Sequence, residues 1–140
     1  MSQAQSQPMI RIPMQRLVCV EVLAWLLSGA VAIGVVGATG HANGAWMGAA
    51  ATLAGVLAGL LVVGMSPERE SFNWAVIQIG ASTVRMLATL ALGFGLFKSL
   101  GPDKVGFWAV LLLTSLAVLV AEVMVFLPVL RGGAGTEASA

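Results

Sequence analysis

The chain has 140 residues, of which 59% are hydrophobic and only 9% charged. Soluble domains carry about 25% charged residues, so this composition, with a mean hydropathy of +0.96, excludes a water-soluble globule and leaves an integral membrane protein in contact with a lipid bilayer. A net charge of +1 gives no basic signal for nucleic acid, the single Cys19 allows no internal disulfide, and one histidine with one cysteine makes no metal cluster, so no cofactor is expected.

Residues 1–16 read as a polar N-terminal tail, disordered or lying on the surface. The first apolar run covers about residues 17–37. Arg11 and Arg16 precede it as in a signal peptide, but the run is as long as a bilayer-spanning helix and is expected to be retained. The turn Thr39-Gly40-His41-Ala42-Asn43-Gly44 follows, with His41 expected to be a solvated loop residue. A second run covers about residues 45–65, closed by Ser66-Pro67-Glu68-Arg69-Glu70, where Ser66 suits a helix cap and Pro67 a first helical position. The third covers about 74–97, and the loop Lys98-Ser99-Leu100-Gly101-Pro102-Asp103-Lys104 breaks it. The fourth covers about 105–130, with Pro128 and Arg131-Gly132-Gly133 marking its exit and residues 132–140 a loose tail.

Each run is about 20 residues or more, enough at about 1.5 Å per residue to cross a hydrocarbon core of about 30 Å. The runs are continuous rather than alternating, which selects helices over barrel strands. The expected fold is therefore all-α, an integral membrane four-helix bundle over residues 17–131. Four spans put both termini on one side, with Arg11, Arg16, Arg69 and Arg131; the other side holds Lys98 and Lys104, so both termini are expected to be cytoplasmic. Trp46, Trp74 and Trp108 fall near span ends, as interfacial tryptophans do.

In the second span Ala51, Gly55 and Gly59 recur every four residues and form a smooth ridge. It suits internal packing against a neighbouring span, or a docking face for another subunit, a second copy of the chain included. In the third span Gln78, Ser82, Arg85 and Thr89 share one helix face. Arg85 lies close to the bilayer midplane, where an arginine costs at least about 2.5–3.5 kcal/mol. A guanidinium does not escape by losing its proton, so it needs an acid, a wet cavity or a partner protein. Glu122, with Ser115 on its face of the fourth span, lies at nearly the same depth; the two would form an ion pair, or Arg85 would meet an ionised group on a partner. Glu21, followed on its face by Trp25 and Ser28, lies nearer the interface and is expected to snorkel. No nucleophile–base pair, phosphate loop or metal-ligand spacing is present, so an enzyme is not expected.

The size, the four spans and the segment Gly80-Ala81-Ser82-Thr83-Val84-Arg85-Met86-Leu87-Ala88-Thr89-Leu90 resemble ATP synthase subunit I, the small membrane protein associated with bacterial rotary ATP synthases. The glycine-rich second span and Phe126-Leu127-Pro128 are weaker echoes. The gap from Gly80 to Arg85 is one residue longer than the family pattern, and Glu122 has no counterpart in it. The resemblance implies a multi-pass protein of the bacterial inner membrane that helps assemble or stabilise the ring of rotor subunits, with a link to divalent-cation supply. It also implies a partner for Arg85, the mid-membrane carboxylate of a rotor subunit.

Three other readings remain. A small multidrug exporter would use a first-span glutamate, but Arg85 would repel cationic drugs. A divalent-cation channel could draw oxygen ligands from Glu21, Glu122, Ser115 and Gln78, again with Arg85 in the way. An accessory subunit of another membrane complex would suit the small-residue ridge equally well.

Overall fold

The structure, a computed structural model, describes residues 9–10, 13–65 and 69–135, and it is helical apart from one short bridge. The helices are α1 (Met14–Ala38), α2 (Ala42–Gly64), α3 (Ser71–Leu100) and α4 (Lys104–Gly135). All four contain a stretch long and apolar enough to cross a membrane. Two-residue strands β1 (Met9–Ile10) and β2 (Arg69–Glu70) pair antiparallel, so part of the N-terminal tail is tied by its backbone to the α2–α3 connection. The Ser66 and Pro67 cap falls outside the described residues, and α3 starts at Ser71.

Both turns on the far side from the termini depend on a glycine in the left-handed region, Gly40 at φ 89° and Gly101 at φ 56°. That conformation ends α1 and α3 without strain. Asp103 then starts α4, its Oδ2 accepting the Gly106 N–H at 2.7 Å. At the other end α4 does not stop at Pro128 but continues to Gly135. One proline withdraws a single N–H, a loss that a helix otherwise bonded throughout can absorb.

α2 is the centre of the bundle and touches the other three helices; α4 also packs on α1, while α3 packs chiefly on α2. Small residues make α2 central. A side chain at Gly44 or Gly48 would run into the α4 backbone at Asp103 and Phe107, and one at Gly55 or Gly59 into Thr89 and Arg85 of α3. The stripe thus receives α4 in its first half and α3 in its second. Membrane helices gain little from mutual apolar burial, because lipid tails are as apolar as leucine, so such close approach is what holds them together.

Toward the termini the core is Leu17, Val56, Leu60, Val63, Trp74, Ala81, Val118, Val125 and Phe126. Trp74 is buried there rather than turned to the interface as its position suggested; α3 begins before it and carries it inside the packed layer. Trp46 and Trp108 do reach the surface. Toward the far turns Ala51, Phe107 and Leu111 pack with Phe97, and Phe107 meets Trp108 edge-on at 5.2 Å. The outer faces are apolar: Leu27, Val31 and Val35 on α1, Ile79, Met86, Leu87 and Phe94 on α3, Leu112, Leu116 and Met124 on α4. Apolar outside as well as inside is the arrangement a bilayer requires.

Candidate functional site

The main polar feature of the bundle interior is built by three helices around Arg85. Its Nη1 donates to Glu122 Oε2 and its Nη2 to Glu122 Oε1 at 3.2 Å, a two-pronged pair between α3 and α4. Nη2 also donates to Glu21 Oε2 at 3.0 Å, which brings in α1. Glu21 is 0% and Glu122 1% exposed, and the Arg85 side chain is 11% exposed. Such pairing is required here, because an isolated charge at this depth is strongly disfavoured.

Helix direction explains how the three groups meet. Helical side chains lean toward their own N-terminus. Arg85 sits mid-way along α3, so its guanidinium reaches back toward the end that carries the chain termini. Glu122 runs the opposite way and leans toward the centre. Glu21 lies about 10 Å into α1, seven residues from its start at 1.5 Å each. Its side chain does not snorkel outward: it is enclosed in the bundle, and Arg85 reaches down to it.

Gly59 makes room for the arginine. A Cβ there would lie 3.0 Å from Nε and Nη2, so the guanidinium crosses α2 where α2 has no side chain. Gly55, one turn earlier, accommodates the Thr89 hydroxyl and the Arg85 carbonyl in the same way. The ridge of Ala51, Gly55 and Gly59 is therefore buried within the chain and packs internally rather than facing outward. Of the other α3 polar residues, Thr89 is buried, Ser82 half-buried, and Gln78 half-buried with a side-chain oxygen that is enclosed and has no hydrogen-bond partner. Glu21 Oε1 and Arg85 Nε are likewise enclosed and unpartnered. Ser115 is half-buried and outside the trio.

Two polar pairs carry no signal in the sequence. Thr52 and Thr114 are fully enclosed, their hydroxyls 2.9 Å apart between α2 and α4, each also close to a carbonyl one turn back. The 62-residue separation hides them, since each threonine alone looks like a helix-satisfied hydroxyl. At the far end His41 is not a free loop residue: its Nδ1 lies 2.8 Å from Asp103 Oδ2, about a third exposed. The same carboxylate caps α4, so it links the two far turns. These turns line a cleft of about 290 Å³ with Asn43, Met47 and Pro102.

Among the described residues no group of three or more His, Cys, Asp or Glu is placed to hold a metal ion. Cys19 is free and exposed. Chemically, the arrangement can hold charge, take up a proton on a carboxylate, or exchange one anionic partner of Arg85 for another. No family model, no curated protein and no solved structure matches the chain.

Proposed function

We propose that the chain is a non-catalytic accessory protein of a bacterial rotary ATP synthase. It would lie in the inner membrane with both termini cytoplasmic and assist assembly or stability of the rotor ring. The observation that carries this reading is a guanidinium in the middle of an apolar helix, already bonded to carboxylates at its own depth. A rotor carboxylate at that depth is chemically equivalent to the two that Arg85 holds. The Gly80–Leu90 resemblance supplies the identity of the complex, and the excess of arginine on the terminal side supplies the orientation.

The internal pairing changes how contact would occur. Arg85 is occupied, so a rotor carboxylate must displace one of its partners. Glu21, held through one oxygen, is easier to displace than Glu122, held through two. α3, packed chiefly on α2, leaves Ile79, Met86, Leu87, Leu90 and Phe94 facing outward as the surface along which a rotor helix approaches.

The test is ring yield when rotor subunits are co-expressed with the wild type or with the charge-free variant Arg85→Leu/Glu21→Gln/Glu122→Gln. The expected outcome is that only the wild type raises the yield. Equal yields would reject the arginine contact. Failure of the wild type to co-purify with rotor subunits in mild detergent would reject the complex itself.

A further inference from the structure

The trio is one positive charge short. Glu21 and Glu122 are both enclosed and share one guanidinium, which does not give up its proton. With both carboxylates ionised the cluster is net negative in a medium that solvates charge poorly. Among the residues whose side chains the structure describes, no other cation is placed to balance it. α2 has no ionisable side chain, so nothing charged faces the trio from that helix. Arg16 on α1, Lys98 on α3, and Lys104 and Arg131 on α4 are all exposed, at least one helical turn from the trio's members on their own helices.

The two carboxyl groups are not used alike. Glu122 engages Arg85 with both oxygens, whereas Glu21 engages it with Oε2 alone and its Oε1 is enclosed without a partner. A bare carboxylate oxygen in that position carries half a charge and receives no hydrogen bond; a protonated one is neutral and becomes a donor. The Arg85 face of α3 also carries the enclosed Gln78 oxygen, an acceptor without a donor.

We propose that Glu21 is a proton-binding site: the bundle holds one exchangeable proton on Glu21 Oε1, which makes the set Glu21, Arg85 and Glu122 neutral. The groups that face this proton are Arg85 from α3 and Glu122 from α4. Its release would leave two like charges on one guanidinium and push α1 away from α4 at that level. The inference stands apart from the ATP synthase reading, since it follows from the charges and contacts of Glu21, Arg85 and Glu122.

The test is infrared spectroscopy of the full chain in phosphatidylcholine liposomes at neutral pH in sodium-free buffer. The expected spectrum has one protonated-carboxyl C=O band that shifts in D2O. The band should vanish in Glu21→Gln and also in Glu122→Gln, because each leaves a single acid for a single guanidinium. Thermal unfolding locates the proton. Glu21→Gln should melt with the wild type, its amide replacing a neutral acid, whereas Glu122→Gln should melt lower. A wild type without the band, or a band that survives in Glu21→Gln, would overturn the proposal. So would loss of the band on adding sodium, which would make the occupant a metal cation, or a reversed order of melting, which would put the proton on Glu122. Should Glu122→Gln fail to fold, the wild-type and Glu21→Gln spectra decide.

Discussion

Arg85 binds three helices through one side chain, and its removal is costly for what it leaves behind. Deleting one member of a buried ion pair destabilises by about 3–5 kcal/mol, because the partner charge remains enclosed. Arg85→Leu leaves Glu122 enclosed without its counter-ion and Glu21 without its donor. It should therefore lower stability by about that much, as read by unfolding in mixed micelles. The charge-free triple variant should recover part of the loss, since it leaves no uncompensated charge enclosed, although its two amides still need hydrogen bonds. Arg85→Lys should recover less, because an ammonium lacks the fork that meets both Glu122 oxygens. The spacing of Gln78, Ser82, Arg85 and Thr89 makes the polar face of α3 readable from the sequence, and depth alone suggests Glu122. Glu21 is not readable in the same way: its burial depends on how α1 packs in the bundle and on the length of the arginine.

At the scale of elements, α2 works because it lacks side chains where its neighbours come closest. A methyl group at Gly55 would overlap the Thr89 hydroxyl, so Gly55→Ala should destabilise by about 1–3 kcal/mol, the range for overpacking a tight contact. Thr89→Ala in the same chain should restore part of that loss. A double-mutant cycle on the two would show coupling, whereas independent, additive effects would mean that α2 and α3 are not in contact there. The ridge was legible as a period of four. Which helix fills it was not, since small residues report close approach without naming the neighbour. The His41–Asp103 link was invisible for a related reason: a loop residue's partner is set by how two turns meet in space, and no spacing records it.

For the whole molecule, composition and the four continuous apolar runs are enough for the number and type of the elements, because lipid leaves the backbone few alternatives. Hydropathy does not mark the helix ends. α3 and α4 extend past their apolar runs, to Ser71 and Gly135, since helix hydrogen bonding continues where hydropathy falls. The order of packing, with α2 touching all three others, follows from glycine placement and not from hydropathy. What ties α3 to α1 and α4 in the apolar interior is the guanidinium shared by two carboxylates. Solid-state NMR in lipid bilayers, with 15N-labelled arginine and 13C-labelled glutamate, reads this directly. The account predicts dipolar contact from the Arg85 side-chain nitrogens to the carboxyl carbons of both Glu21 and Glu122, and its loss in Arg85→Leu. An Arg85 signal with no carboxyl contact, and with its N–H protons in fast exchange with bulk water, would contradict it.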